Sequence, residues 1–476
     1  MIEGVGAALW GPLLLAAGLM LRMRSARVAR LLAVALLAIV LAASTSLLLL
    51  LAFGSDEARQ ALFPVRASYA DSLAAAILPI LVGGPLATIL SAPRAVVTVE
   101  ASSDAVLLAG CALGAMLSEG LVSLAAFALL SSLPLVREAK RRAHRGLRRA
   151  TALFVLTSGV PLVAGVVAAV GLGVSAGFTW PFDARQIAES GALAPHGWWV
   201  GGLLWIAVMA RLGVFPLHAW VPAVAEHVRG PVGSLTVVSP IGALVALRAC
   251  LELFPEGVPG LVPVLLPLAA LSSAYGALLA LGQDHAGRQL GYVWVSASGT
   301  VLAGLCSLDA RAVSGALLQH LALLLSMTGL WLHLRAVACR TTTEDMRRLG
   351  GLIATAPGLA TGFLLLGLAT VSFPGTATFF SEDLLVQGLL ADHPFVGSVL
   401  LVATAINGIS LVRAFKRIFL GEVSPHAAAP LVEDILPRER VASLAIVLAL
   451  LVGGLAPTPL LLLREGVRGT LTAQGP

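Results

Sequence analysis

Long apolar stretches joined by short polar segments follow one another along almost the whole chain. A helix that spans a bilayer needs about 20 apolar residues, whereas a transmembrane β-barrel would show strict alternation of apolar and polar positions. The pattern therefore predicts an all-α polytopic membrane protein with about 14 transmembrane helices. In chain order, the apolar stretches lie at 5–21, 31–53, 70–91, 103–118, 120–136, 150–172, 197–215, 231–253, 258–282, 289–306, 312–334, 350–391, 395–415 and 441–463.

Prolines interrupt two of these stretches. The twelfth, at 350–391, is roughly twice the length of one span and contains Pro374 beside a glycine, while the seventh runs into Pro216 and Pro222. Proline lacks the backbone N–H and clashes with the preceding turn of a helix. At membrane depth such a break is tolerated only where protein or a water-filled cavity satisfies the freed groups. We therefore expect broken helices at spans 7 and 12.

The two expected breaks are separated by five spans. This spacing favours two inverted five-helix repeats, as in transporters whose site lies between broken helices. We predict a single transmembrane domain over residues 1–476, with a first inverted repeat at 103–253, a second at 258–420 and a C-terminal span at 441–463.

Composition supports the membrane class. Of the 476 residues 58% are apolar and 12% are charged, and the mean hydropathy is +0.94, so a soluble fold of this length could not bury its apolar side chains. The net charge of +6 does not indicate a nucleic-acid partner, because the cations cluster beside the apolar stretches.

Basic residues gather in the segments that follow odd-numbered spans. The segment at 137–149 carries seven of them, and the segments after spans one, eleven and thirteen are also basic, whereas those after even-numbered spans carry few. By the positive-inside rule the basic segments face the cytoplasm. We therefore predict a multi-pass protein of a bacterial-type inner (plasma) membrane with both termini outside.

No motif for a metal or a nucleotide stands out. The four cysteines lie far apart in the sequence, so no metal knuckle or Fe–S ligand run can form locally, and no phosphate-binding loop of the P-loop type is present. We expect no cofactor and no redox centre in this chain.

The most specific motif is RLGVFPLHAWVP at 211–222. It resembles the KxPxxPxHxWLP motif on span seven of the antiporter-like, proton-translocating membrane subunits of NADH:quinone oxidoreductase, which are related to Mrp antiporters and to energy-converting hydrogenases. Stretches at 276–299, 315–336 and 350–385 are similar to the same family, so the resemblance covers about residues 70 to 420. The FPGT sequence followed by a glutamate is closer to the M-type subunit than to the L-type.

The resemblance implies an antiporter-like membrane subunit of a redox-driven proton-translocating complex. Its expected partners are other membrane subunits, redox subunits and the lipid bilayer, with no nucleic acid. Two alternatives stay open. One is an Mrp-like cation/proton antiporter subunit, and the other is a structural scaffold subunit that conducts no ions.

In that family, protons follow a polar axis of ionisable residues, and this sequence keeps only part of it. Leu129 stands at the position of the glutamate on span five, Arg211 replaces the lysine of span seven, and no ionisable residue occupies the span-eight position near Pro240. On span twelve Glu382 matches the acidic member. Leu323 and Met327 stand at the span-eleven positions, with His320 one helical turn from Leu323.

We therefore predict a proton pathway through Arg211, His320 and Glu382, in which the N-terminal half-channel is impaired, rearranged or lost. The reason is that the chain has only two lysines, Lys140 and Lys416, and both lie in segments between spans. The predicted helix-break motif comprises Pro216, His218, Trp220, Pro222 and Pro374.

Structural alternatives stand beside these assignments. Arg211 could be a structural cation near a membrane interface or in an ion pair, and His320 a packed, hydrogen-bonded core residue. His218 and Trp220 could stabilise the helix break instead of relaying protons. Further candidates with weaker support are Glu119 as a substitute acid, Asp71 at the start of span three, Arg248 as a helix-end anchor and His333 as an interfacial residue.

Overall fold

The computed structural model describes residues 2–53, 69–93, 96–118, 120–142, 144–178, 194–228, 230–251, 258–423 and 433–455. The α-helices within these ranges are α1 (Ile2–Met20), α2 (Ala26–Phe53), α3 (Tyr69–Ser91), α4 (Val99–Met116), α5 (Leu121–Leu130), α6 (Leu133–Arg142), α7 (Arg145–Ser175), α8 (Gly197–Leu212), α9 (Trp220–His227), α10 (Pro231–Val237), α11 (Ile241–Val245), α12 (Val258–Leu281), α13 (Ala286–Cys306), α14 (Ala310–Thr341), α15 (Pro357–Thr370), α16 (Ala377–Asp392), α17 (Pro394–Phe419) and α18 (Pro437–Leu455). A π-helical turn, Ala246–Leu251, follows α11 directly.

Eight of the described segments are long and apolar enough to cross a membrane. They are Ala26–Leu49, Val99–Met116, Leu121–Arg142, Arg145–Ser175, Val232–Leu251, Val258–Leu281, Ala310–Thr341 and Pro394–Phe419. Shorter apolar helices lie between them, among them Gly197–Leu212 and Pro357–Thr370. The all-helical membrane class is confirmed, while the number of fourteen spans stays a prediction.

The outer helices are apolar on their exposed face as well as on their buried face. In α7, Phe154 and Leu162 are buried, whereas Val160 and Val167 are 59% and 65% exposed. A water-soluble helix would carry polar residues on its outer face. Apolar residues on both faces are instead what a helix needs when protein covers one side and lipid the other.

Glycine permits close contact between α12 and α13 in the interior. A Cβ atom at Gly276 of α12 would lie 2.5 Å from the backbone nitrogen of Ser296 in α13, and one at Gly299 of α13 would lie 2.6 Å from the backbone nitrogen of Ser273 in α12. Small residues at such positions let helix backbones approach closely, as is typical of membrane bundles.

Helical structure is interrupted at both places where proline predicts a break. Helix α8 ends at Leu212, followed by Gly213 in the left-handed conformation, and α9 begins at Trp220. Helix α15 ends at Thr370 and α16 begins at Ala377, with Pro374 and a glycine at φ +91° between them. The prediction that the first half-helix of span twelve begins at residue 350 is wrong. Residues 350–356 contain only a 3₁₀ turn, and α15 begins at Pro357.

Two further interruptions were not expected from the apolar pattern. Span eight is divided into α10 and α11 around Ser239 and Pro240, because Pro240 has no N–H to continue the helical ladder. Span five is divided into α5 and α6 at Ser131 and Ser132, where the Ser131 hydroxyl donates to the Ala128 carbonyl at 2.6 Å. Such local side-chain bonds compete with those of the helix.

A buried, ion-paired arginine joins the second half of the chain to the first through hydrogen bonds. Arg335 of α14 is paired with Glu344, and its guanidinium also donates to the carbonyl oxygens of Ala225 and Val228 at the end of α9, each at 2.9 Å. These bonds connect α9, the part of span seven after the break, to α14. Helix α14 in turn packs against α13, α15, α16 and α18.

Candidate functional site

Arg211 lies in the last turn of α8 and is 4% exposed. Its guanidinium donates to the hydroxyls of Ser131 and Ser132 at 3.2 and 3.3 Å and to the carbonyl oxygen of Ala128. The Phe154 ring centroid lies 5.6 Å from its central carbon, a favourable position for a cation over an aromatic face. Every one of these partners is neutral.

The ion-pair alternative for Arg211 is therefore wrong within the part of the chain that the structure describes, because no Asp or Glu is bonded to the guanidinium there. The interruption of span five supplies its acceptors, since the Ala128 carbonyl and both serines belong to that turn. An arginine stays protonated in proteins, so the site holds a fixed positive charge.

Leu129, which stands at the position of the family's glutamate, is 36% exposed. Its side chain lies beside Gly159 of α7. Leu129 is not among the residues that line the small cavity next to Arg211. The part of this cavity that the centre of a water molecule can occupy measures ≈ 10 Å³, about enough for one water molecule. Its lining residues are Leu108, Ser131, Phe154, Arg211, Thr236, Ser239 and Gly242.

Two tryptophans bind carbonyl groups freed at the break of span seven. Trp220 donates from Nε1 to the carbonyl of Ala210 at 2.8 Å, and Trp294 of α13 donates to that of Leu212 at 3.1 Å. The last carbonyls of a helix have no partner within the helix, so these indoles stabilise the break. Trp294 was not among the predicted residues, because its sequence neighbours give no sign of this contact.

The remaining motif residues line the same turn. The His218 ring packs against Phe215 and Tyr275, with ring centroids 5.8 and 5.1 Å away, and its Nδ1 is buried with no hydrogen-bond partner among the described residues. Pro216 lies in the connection between α8 and α9. Pro222 lies in the first turn of α9, where a backbone N–H has no partner within the helix, so proline costs no helical hydrogen bond there.

His320 lies in the interior of α14 and is 1% exposed. Its ring contacts Trp294 with 5.5 Å between ring centroids. The backbone of Ser239, at the break of span eight, lies beside the ring at a geometry looser than a hydrogen bond. Both ring nitrogens lack hydrogen-bond partners within the described ranges, so His320 is packed but not hydrogen-bonded there.

Glu382 lies in the second turn of α16 and is 5% exposed. The Thr404 hydroxyl of α17 donates to Oε1 at 2.7 Å, while Oε2 has no hydrogen-bond partner in the described part of the chain. A cavity with ≈ 10 Å³ open to a water centre adjoins the carboxyl. It is lined by Val293, Ala297, Thr300, Gln319, Leu323, Thr370, Val371, Glu382, Thr404 and Asn407.

Uncharged polar side chains surround this cavity and connect four helices. Ser381 of α16 donates to the Gln319 side chain of α14, and Asn407 of α17 donates to the Ser296 hydroxyl of α13 at 2.8 Å. Gln289 of α13 donates to the Ser410 hydroxyl at 2.6 Å. The sequence prediction missed these residues, although an amide side chain inside an apolar stretch is a usable signal.

The three predicted pathway residues are each buried, and no hydrogen bond or ion pair joins them within the described part of the chain. Ser239 lines the Arg211 cavity and its backbone borders His320. Gln319, the neighbour of His320 in sequence, lines the Glu382 cavity together with Leu323. Neighbouring residues thus connect Arg211 to the break of span eight, and α14 to Glu382, and we call Arg211, Ser239, His320, Gln319 and Glu382 the buried row.

The weaker candidates have different outcomes. His333, expected at an interface, is instead 3% exposed and bonded to the Gly329 carbonyl at 2.9 Å, because α18 covers it at Ser443. Arg248 donates to the carbonyl of Met116 at the end of α4 at 3.0 Å. Glu119 lies outside the described residues, as does the side chain of Asp71.

The described residues contain no group of three or more His, Cys, Asp or Glu side chains arranged to hold a metal ion. Cys111, Cys250 and Cys306 are each buried as free thiols. Arg211, His320 and Glu382 are single ionisable groups in buried, partly polar surroundings.

Solved structures share this fold. A chain of respiratory complex I from Thermus thermophilus with bound NADH matches with a TM-score of 0.82 at 24% identity, over 99% of this chain and 100% of that one. A chain of the Mrp complex from Dietzia sp. matches with a TM-score of 0.81 at 19% identity, over 99% of this chain and 98% of that one.

Curated relatives show which sequences are similar. NADH-quinone oxidoreductase subunit M from Mycobacterium tuberculosis is 28% identical over 305 residues, which are 62% of this chain and 54% of the relative. Subunit M from Escherichia coli K12 is 26% identical over 316 residues, which are 66% of this chain and 62% of the relative. The match thus spans about half or somewhat more of each relative's length, and the expected M-type similarity is confirmed.

A family model described as NADH:quinone oxidoreductase/Mrp antiporter, transmembrane, matches residues 126–407. The matched region contains both broken segments, Arg211, His320 and Glu382. Because it covers more than half of the 476 residues, the chain belongs to the NADH:quinone oxidoreductase/Mrp antiporter transmembrane family.

Proposed function

We propose that this chain is the M-type, antiporter-like membrane subunit of a redox-driven proton-translocating complex of the NADH:quinone oxidoreductase type. Family membership and relatives named subunit M support the proposal. Redox subunits of the complex supply the electron transfer, and this chain contributes a membrane path for protons.

The proposal includes the topology drawn from the sequence. Fourteen spans form one domain with inverted repeats at 103–253 and 258–420 and a C-terminal span at 441–463, and both termini face outward from a bacterial-type inner membrane. The two interrupted segments at 213–219 and 371–376 support the repeats, because each lies at a corresponding place within its repeat.

One observation supports the proposal that protons move through the second half of the chain. Glu382 is a buried carboxyl with one oxygen bonded to Thr404 and the other without a hydrogen-bond partner among the described residues, beside a cavity large enough for about one water. A group that relays protons must change its charge and reach its neighbour directly or through water. Glu382 meets both requirements.

The Arg211 site in the first half does not meet them. Arg211 cannot release its proton at physiological pH, and its acceptors are two hydroxyls and a carbonyl. With Leu129 in place of the family's glutamate, the described residues that line the Arg211 cavity include no acid. We therefore propose that the N-terminal half-channel is impaired and that Arg211 holds the interrupted span five against α8.

The chemistry of the second half follows from its neighbours. When Glu382 is ionised, the Thr404 hydroxyl stabilises the charge by donating to Oε1, and a water in the cavity can bond to Oε2. Gln319 and Asn407 orient such a water but hold no extra proton, because amides do not titrate. His320, next to Gln319 in sequence, is a further titratable group of the buried row.

Glu382→Gln in the native complex, reconstituted in liposomes, tests the assignment. We expect transfer through this subunit to slow by about 10²-fold or more, the usual contribution of a positioned acid or base, and proton release per NADH oxidised to fall by this subunit's share. Asp383→Asn is the matched control, since that neighbouring carboxyl is exposed and bonded only to Gln387 among the described residues.

Unchanged proton release in Glu382→Gln would exclude a conducting role for this residue and favour the scaffold alternative. The Mrp-like alternative is separated from the redox complex by mass spectrometry of the purified native assembly. Subunits with Fe–S or flavin groups support the proposal, whereas small antiporter subunits alone contradict it.

A further inference from the structure

An open cavity of ≈ 520 Å³ lies at the end of α17, away from the buried row. One wall is formed by the C-terminal turns of α17, with Arg413, Lys416 and Arg417, and the other by the segment between α14 and α15, with Arg347. Glu422 is the acidic residue on the walls, so cations outnumber acids there by four to one.

Ion pairs with two aspartates position three of these four cations. Asp284 is paired with Arg413 at 3.2 Å, with Arg347 at 3.9 Å and with Arg417. Asp345 is paired with Arg347 at 3.1 Å. If both aspartates and Glu422 are counted, the four cations still outnumber three acids, so the cavity keeps a net positive charge.

Lys416 differs from the arginines beside it. Its side chain is exposed and forms no hydrogen bond or ion pair with the residues that the structure describes. The attraction of cations to a helix C-terminus explains why lysine is favoured in this turn, but it does not explain an open cavity with cationic walls on both sides.

An exposed apolar stripe on α17 leads to this cavity. Phe395, Val402, Ile409 and Val412 are between 56% and 79% exposed, and their spacing places them on one face of the helix with Lys416 at the end. From Phe395 to Lys416 the helix rises about 31 Å, close to the thickness of the hydrocarbon core of a bilayer. The cavity therefore lies at the level of lipid headgroups.

We propose that this cavity binds the phosphate headgroup of an anionic phospholipid whose acyl chains lie along the α17 stripe. Cationic walls provide the charge that a phosphate needs, the arginines are positioned by Asp284 before binding, and Lys416 is available to the ligand. A lipid is favoured over a soluble phosphate because the apolar stripe ends at Val412, one helical turn before Lys416 in the cavity wall. The site is independent of the proton pathway proposed above.

The test measures lipid retention by the full chain, purified in mild detergent, with native mass spectrometry. Phosphatidylglycerol is titrated, with phosphatidylcholine as the zwitterionic comparison and inorganic phosphate as the soluble competitor. We expect Lys416→Gln to weaken phosphatidylglycerol binding about fivefold, the effect of one basic residue near an anionic headgroup, and Lys416→Arg to retain it.

Lys140→Gln is the matched control, because this second lysine is also exposed and lies in a basic segment but does not line the cavity. Unchanged phosphatidylglycerol binding in Lys140→Gln and little phosphatidylcholine binding support the site. An equal loss in both lysine variants, or no loss in either, overturns it. Displacement of the lipid by inorganic phosphate at millimolar concentration also overturns it and identifies a soluble ion as the ligand.

Discussion

The surroundings of Arg211 and Glu382 are alike in architecture and opposite in chemistry. Each residue is buried near an interrupted helix, and each adjoins a cavity with ≈ 10 Å³ open to a water centre. Arg211 is a fixed cation held by neutral acceptors, whereas Glu382 has one bonded oxygen and one without a partner among the described residues. The comparison teaches that two buried sites beside broken helices can have cavities of similar size and opposite charge, one built around an arginine and the other around a carboxyl.

The largest expected effect comes from breaking the buried ion pair whose arginine also bonds to the first half. Glu344→Gln removes the carboxylate from the buried pair with Arg335, whose side chains are 2% and 11% exposed. Breaking such a pair leaves an uncompensated charge and typically costs about 3–5 kcal/mol. We expect a loss of this size in the free energy of unfolding in mild detergent, together with a weakened contact between α9 and α14.

The next largest expected effect tests whether the Arg211 site requires the shape of a guanidinium group or only a positive charge. Arg211→Lys keeps the charge but cannot reach Ser131, Ser132 and the Ala128 carbonyl together, because an ammonium lacks the planar fork of donors. We expect a cost of about 2 kcal/mol, measured by unfolding in detergent. Arg311→Lys, at an exposed position, is the control, and equal stability of both variants would contradict the assigned role.

A smaller effect sharpens the chemistry of the second half. Thr404→Val keeps the shape of the side chain but removes the hydroxyl that donates to Glu382. A hydrogen bond to a charged group contributes about 1.5 kcal/mol or more, so we expect proton transfer to slow by about tenfold in the reconstituted complex. Ser131→Ala, which changes the Arg211 cavity instead, is expected to leave the transfer rate unchanged. A slower rate in Ser131→Ala alone would reverse the comparison.

The smallest effect concerns an exposed pair, in contrast to the buried charges. The Arg347 hydrogen bond lowers the pKa of Asp345 below its ordinary value of 3.8. The stabilisation is therefore present above pH 3.8 and is lost as pH falls through the lower folded pKa. We expect Asp345→Asn to shift the unfolding temperature by only about 1 °C near neutral pH. The difference between variant and parent should vanish in stronger acid, and a constant difference down to pH 2 would contradict this cause.

The helical membrane class could be predicted from the sequence because it depends on local properties. The length of an apolar stretch and the position of a proline act within one or two turns, so the interruptions after Leu212 and Thr370 lie where Pro216 and Pro374 indicate. Pro240 carried the same signal within span eight, but the apolar pattern around it concealed the break.

The site could be predicted only in part. Glu382 is conspicuous as an acid in an apolar stretch, but its bond to Thr404 joins different helices. The acceptors of Arg211 lie about 80 residues earlier in the chain and depend on the turn at Ser131. The burial of His333 depends on α18, more than 100 residues later. Pairings between distant segments are set by packing, which no local pattern reveals.

Proton release by the reconstituted native complex, compared between Arg211→Lys and Glu382→Gln at equal rates of NADH oxidation, tests most directly whether the second half alone conducts. We expect Arg211→Lys to retain the parent's proton release per NADH oxidised, because the Arg211 site carries no titrating partner. Glu382→Gln should lose the share of this subunit. Undiminished release in Glu382→Gln together with reduced release in Arg211→Lys would contradict this division between the halves.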